Sequence, residues 1–171
     1  MKRIEPQDLL VRPFQILDQD WALLVAGRQA PNPMTVSWGG FGTLWNRPVV
    51  TVFVRPVRFT YGLLAGHPEF TLNFLPENLR GALELCGTRS GRDLDKWKAA
   101  GLHPVDSALV GTPRVAESVL TLECRVLATL DIDPERFVDP SLDENYPARD
   151  YHRVYIGEVL AVWAEDRFSR R

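Results

Sequence analysis

Apolar and β-branched residues run almost unbroken from Trp21 to Arg28, stop at Pro31-Asn32-Pro33, and resume at Met34-Thr35-Val36-Ser37-Trp38. Two such runs around a proline-rich break predict two strands and a turn. Gly39-Gly40-Phe41-Gly42 then punctuates the chain. Val49 to Val54 is the densest β-branched stretch and predicts a central, buried strand. After Pro56, the spacing of Phe59, Leu63 and Leu64 predicts a short helix ending at Gly66 and Pro68. Glu69 to Leu75 returns to strand. Asn78 is placed to cap a helix carrying Leu79, Leu83 and Leu85, and Gly91 to Ala100 predicts a second helix stopped by Gly101. These helices are expected to cover a barrel end.

The second half holds two long alternating runs, Ser118 to Ile132 and Tyr151 to Ala164, expected to pair. Between them, Asp133 to Asp150 is rich in Pro, Asp and Glu, too long for an idle loop, and reads as a functional or covering segment. Arg167 to Arg171 reads as an exposed tail or a partner-dependent arm. Many strands, few short helices and no regular strand–helix alternation predict a mainly β fold, an antiparallel β-barrel with added short helices. A length of 171 residues suits one domain spanning 1–171.

Charge narrows the partners. With 20 basic and 22 acidic residues dispersed along the chain, the net charge is −2, and no cationic stripe is available to a nucleic-acid backbone. No apolar run approaches the ~20 residues of a membrane span, and Met1-Lys2-Arg3 leads into Ile4-Glu5-Pro6 rather than a signal segment, so a cytoplasmic protein is expected. Cys86 and Cys124 stand alone and read as buried thiols. His67, His103 and His152 lack ligand spacing, so no metal is expected. Gly40-Phe41-Gly42 lacks the third glycine of a dinucleotide loop, no phosphate-loop lysine motif occurs, and Gly87-Thr88-Arg89-Ser90-Gly91 has the wrong spacing for a hydrolase elbow.

What remains is four clusters of small polar and cationic residues at element boundaries: Asn32 to Ser37, Arg55 to Thr60, Gly87 to Lys96 and Asp150 to Arg153. Arg55, Arg58, Thr60 and the free amides of a helix start suit a phosphate; the same residues also suit a solvated arginine pair with Thr60 as a cap. Trp38, before the glycines, fits either a platform for a ring or the barrel core. Asp93, Asp95, Lys96 and Arg92 fit a solvated helix, and His152 a packing residue.

In order, the segments Asn32-Pro33-Met34-Thr35-Val36-Ser37-Trp38, Arg55-Pro56-Val57-Arg58-Phe59-Thr60, Glu69 to Leu75, Cys86 to Lys96, and His152 to Val159 resemble the flavin-reductase-like proteins with an FMN-binding split barrel, and especially their flavoredoxin branch. The resemblance implies a six-stranded Greek-key barrel with added helices, a homodimer and non-covalent FMN near the subunit interface. It implies that Asn32, Thr35, Ser37 and Trp38 meet the ring or ribityl chain, that Arg55, Arg58 and Thr60 hold the phosphate, and that Ser90 and Lys96 add contacts. His152 would be the catalytic candidate, beside the flavin or a nicotinamide. The implied function is electron transfer from NADH or NADPH through FMN to a flavin or other acceptor; the alternative is an FMN carrier served by a protein partner.

Overall fold

The structure is a computed structural model and describes residues 1–170. The described residues form ten strands: β1 (Lys2–Ile4), β2 (Ala22–Ala26), β3 (Asn32–Val36), β4 (Gly39–Leu44), β5 (Arg47–Val54), β6 (Glu69–Phe74), β7 (Pro104–Val105), β8 (Arg114–Val115), β9 (Leu120–Asp131) and β10 (Arg153–Ala164). Four α-helical segments accompany them: α1 (Pro13–Gln15), α2 (Phe59–Gly66), α3 (Arg80–Thr88) and α4 (Lys96–Ala100). The main sheet has eight antiparallel strands, running β3-β2-β6-β9-β10-β5-β4 with β1 also on β10, and β7 pairs separately with β8. The mainly β expectation is met, as is the pairing of the two long runs, β9 with β10; the sheet has eight strands in place of the six the resemblance implies, because the N-terminal segment and the glycine run, neither read as a strand, both pair into it.

Burial explains why β2 reads as an unbroken apolar run. Successive strand side chains point to opposite faces, and both faces of β2 are covered. Leu24 packs with Phe70, Leu72, Leu120, Leu122, Val50 and Val52 in the main core. Leu23 and Val25 face the other way, onto Leu83 and Cys86 of α3. Each fully buried aliphatic side chain contributes roughly 1.5–3 kcal/mol. Helices α3 and α4 therefore sit on the outer face of the β2–β3 hairpin, a correction to the expected barrel-end position, whereas Leu64 of α2 does enter the main core. Cys86 and Cys124 are buried free thiols, as read.

Several expectations are corrected. The glycine run is not a break but β4, paired with β5 through a two-residue turn in which Trp45 and Asn46 have φ of 53° and 58°. Consecutive left-handed residues give the twist a tight hairpin needs. Asn78 caps nothing; it lies in a 3-10 turn, Glu77–Leu79, before α3. The helix expected over 91–100 begins only at Lys96, because Asp95 is its cap and accepts from the Lys98 amide at 3.3 Å. Gly101 ends it in the left-handed region, as expected. The C-terminal arm is docked rather than free: Ser169 bridges to Leu9, and the Arg170 amide donates to the Asp8 carbonyl at 3.1 Å. Arg171 lies outside the described residues.

Residues 133–150 form a cover built from two short 3-10 turns, Pro134–Arg136 and Pro140–Asn145, capped by Asp133 and Asp139. The loop at 106–112 is anchored by the fully buried Glu123. Its carboxylate accepts from the amides of Ala108 and Leu109 at 3.0 and 2.7 Å and from Trp163 Nε1 at 2.8 Å. Arg114 Nε lies 3.4 Å from it. Among the described residues no helix is long and apolar enough to cross a membrane.

Candidate functional site

The strands at the two ends of the sheet path, β3 and β4, are joined by Ser37 and Trp38. An end strand presents backbone N–H and C=O groups that no ladder uses. Along this edge of β3 lie two cavities. One, of about 210 Å3, is walled by Met34, Val36, Ser37, Trp38, Phe53, Arg55 and His152. The other, of about 180 Å3, is walled by Asn32, Thr60, Arg89, Ser90, Arg92 and Lys96 among others. Met34 and Arg58 line both, so the two form one groove with Arg58 at the junction.

The second half is a cationic cradle. Arg58, Arg89, Arg92 and Lys96 face it, and its wall contains no Asp or Glu. Arg58 is fixed by Nη2 donating to the Gly87 carbonyl at 2.7 Å and by Nε against Met34 Sδ at 3.3 Å. Helix α2 starts here with no side-chain cap, and its first residues, Phe59 and Thr60, line the cradle, where the unpaired amides of a helix start favour an anion. Buried Thr60 accepts from Asn32 Nδ2 at 2.9 Å, which joins the helix start to β3. Thr60 is thus a buried link and not the helix cap.

Lys96 is only 3% exposed, and its Nζ donates to the carbonyls of Pro33 and Cys86 at 3.0 and 2.8 Å. An ammonium has three donors, so one remains for the cradle. Burial pushes its pKa down to about 8; the Cys86 thiol opposes this and the nearby Arg58 charge adds to it. Burial likewise lowers Arg58, with Arg55 contributing. Ser90 is held in a turn, its Oγ accepting from the Arg92 amide at 3.2 Å. The turn fits only because residue 91 is glycine: a Cβ there would stand 2.7 Å from Asn32 Cγ and 2.9 Å from Phe59 Cδ1.

The first half is aromatic. Trp38 is 47% exposed, so it is not the core residue its type favours, and its ring lies 5.0 Å from that of His152. Phe53 meets His152 edge-on at 6.3 Å. His152 Nδ1 is 3.0 Å from the Tyr146 hydroxyl. Burial, followed by the charge of Arg55, pushes the His152 pKa down to about 4, leaving a neutral imidazole near pH 7.

The expected residues thus divide. Asn32, Arg58, Thr60, Ser90 and Lys96 gather at the cationic half; Ser37, Trp38, Arg55 and His152 line the aromatic half. Arg55 is not beside the cradle: it pairs with Asp150 at 2.7 Å and donates to the Asn145 carbonyl at 2.8 Å, clasping the cover. Thr35 lines the groove, but its hydroxyl donates to the Leu83 carbonyl, on the helix side. Phe53, Arg89 and Tyr146 were not singled out as site residues from the sequence. Tyr146 had no signal at all, lying mid-loop, whereas Arg89 could have been flagged by its place beside Ser90. Among the described residues no group of three or more His, Cys, Asp or Glu could hold a metal ion.

The family profile described as the flavin reductase like domain matches residues 19–170. The chain belongs to this family. Among solved structures, the flavoredoxin of Methanosarcina acetivorans superposes with a TM-score of 0.68 at 25% identity, over 97% of this chain and 76% of that one. An FMN-binding protein of Thermus thermophilus, with bound 1-cyclohex-2-enone, gives 0.67 at 23% over 97% and 82%. The NADH:FAD oxidoreductase SgcE6 of Streptomyces globisporus gives 0.68 at 19% over 88% and 81%. This flavin-reductase-like chain therefore has the split-barrel fold of these neighbours, and the resemblance to the family and its flavoredoxin branch is borne out.

Proposed function

We propose that the groove binds FMN and that the chain passes electrons from NADH or NADPH through it to a flavin or another acceptor. The observation that carries this is the polarity of the groove: a carboxylate-free cationic cradle at one end and a neutral aromatic mouth at the other, joined at Met34 and Arg58. A terminal phosphate suits Arg58, Arg92, Lys96, Ser90 and the uncapped start of α2. A planar ring suits the Trp38 and His152 faces. The residues present therefore fit the cofactor. When bound, FMN supplies the redox chemistry. The chain's own part is to anchor the phosphate, orient the ring and keep carboxylates away from both.

A homodimer belongs to the same proposal. Trp38, Val57 and Trp45 are 47%, 59% and 58% exposed near the groove and the β4 edge, apolar surface that a second copy would cover. The reading as a carrier without nicotinamide activity is favoured by the likeness to a flavoredoxin at 25% identity over nearly the whole chain.

Anaerobic absorbance titration tests the cofactor and the donor, and light scattering tests the dimer, which a monomer at micromolar concentration would remove. Added FMN should bind with a shifted visible spectrum and bleach on addition of NADH or NADPH. Binding without bleaching leaves the carrier; no binding removes the proposal.

A further inference from the structure

His152 has one bonded nitrogen and one open nitrogen. Nδ1 meets the Tyr146 hydroxyl at 3.0 Å. Among the described residues Nε2 has no partner, yet the ring lines the groove, and the sealed polar atoms left without partners are Ser118 Oγ and Tyr155 Oη instead. Nε2 is therefore open to the groove.

The Tyr146–His152 bond admits two directions. If Nδ1–H donated to the phenol oxygen, the phenolic hydrogen would be left without an acceptor on a side chain only 5% exposed. Leaving a buried donor unpaired costs more than an ordinary hydrogen bond gains. If the phenol donates to Nδ1, both the phenol and Nδ1 are satisfied, and the ring hydrogen sits on Nε2, the nitrogen open to the groove. A charged imidazolium is disfavoured by burial and by Arg55.

Tyr146 itself is firmly placed. Arg55 lies 5.1 Å over its ring while pairing with Asp150 and the Asn145 carbonyl, and Phe137 stacks on it at 6.3 Å. The cover thus reaches His152 through one hydroxyl.

We infer that Tyr146 is a positioning residue that fixes His152 as a neutral Nε2–H donor, aimed into the groove at a carbonyl oxygen of a planar ring lying by Trp38. A neutral donor beside Trp38, Phe53 and Val36 rewards a neutral acceptor, while anions are drawn to the cationic half. The inference rests on the FMN reading only for the source of that oxygen, which is either the flavin ring or a second ring compound.

Long-range proton–nitrogen NMR on labelled protein distinguishes the tautomers without any cofactor. At pH 7 the free chain should show His152 with Nδ1 unprotonated and Nε2 protonated. Tyr146→Phe keeps the stacked ring and should raise the Nδ1–H fraction about five-fold. A wild-type His152 that is Nδ1-protonated or evenly mixed overturns the inference, as does a ratio unmoved by Tyr146→Phe. FMN and then nicotinamide are added to the same sample. A shift of the Nε2 proton at the first addition assigns the flavin oxygen, and one only at the second assigns the added ring. No shift at either, in a sample whose absorbance shows bound FMN, overturns the donor role. If no FMN binds, the proposed function falls, while the tautomer result on the free chain still decides the role of Tyr146.

Discussion

Gly91→Ala isolates the geometry of the cationic cradle. The added methyl would overlap Asn32 Oδ1 and lie 2.7 Å from Asn32 Cγ and 2.9 Å from Phe59 Cδ1, against the ~3.5–4.0 Å of relaxed carbon contacts. Asn32 is 5% exposed and bonded to Thr60, so it cannot swing aside without breaking that bond. Displacing the amide costs about 1–3 kcal/mol, and shifting the turn instead costs about the same through overpacking. Taking ~2 kcal/mol, the melting temperature should fall by roughly 4–8 °C for a domain of this size. Because Ser90 and Arg92 flank the glycine, FMN affinity should fall at least about ten-fold, the equivalent of ~1.4 kcal/mol. Gly62→Ala is the control: it lies in α2 with nothing within 4 Å of the new methyl, and should stabilise by about 0.5–1 kcal/mol. Thermal melts with and without FMN read both. A Gly91→Ala protein that melts with the wild type and keeps its affinity would refute the account of the cradle.

Two further outcomes follow from buried charges. The folded-state pKa of Lys96, about 8, lies below its ordinary 10.5, so between those values the unfolded chain holds a proton the folded chain lacks. Its contribution to stability therefore rises with pH across that window, while FMN affinity falls above about pH 8 as the ammonium discharges. Urea midpoints and FMN titrations against pH should show both slopes in the wild type and neither in Lys96→Met. Glu123→Gln keeps the shape but removes the charge that faces the amides of Ala108 and Leu109, Trp163 Nε1 and Arg114. It should destabilise by about 3–5 kcal/mol in urea unfolding, and a loss below ~1 kcal/mol would show that the loop does not depend on the carboxylate.

The strands buried on one or both faces were legible because their pattern records burial directly. Ala22–Ala26 is apolar throughout since the core and α3 cover opposite faces, and β9 keeps a period of two over Leu120–Cys124 although every residue there is buried, because Thr121 and Glu123 find hydrogen-bond partners on the second face. β4 was not legible. Gly39 answers a close approach and not a turn, since a Cβ there would stand 2.5 Å from the Thr51 carbonyl oxygen, whereas Gly42 faces open space. The true turn, Trp45-Asn46, carries no glycine. Helix α4 was overread for the converse reason: Asp95 looks like a helix residue until the packing of Gly91 on Asn32 fixes the preceding segment as a turn.

The site was legible in its residue types but not in their division. Arg55 and Arg58 straddle Pro56, where the chain leaves β5 and turns into α2, so their spacing does not say which way each points. One clasps the cover and the other enters the cradle. Charge explains why the division matters. Arg58, Lys96 and His152 are all pushed toward their neutral forms, chiefly by burial and then in part by neighbouring cations. Gathering such groups opposes folding unless something offsets it, which is the usual signature of a site shaped for binding over stability. Arg55 is held by Asp150, leaving the unanswered cations at one end of the groove and a neutral imidazole at the other. A ligand that relieves this arrangement must carry its negative charge at one extremity and a neutral plane at the opposite one, which is the charge distribution of a flavin mononucleotide and not of a nucleic acid or a uniformly acidic peptide.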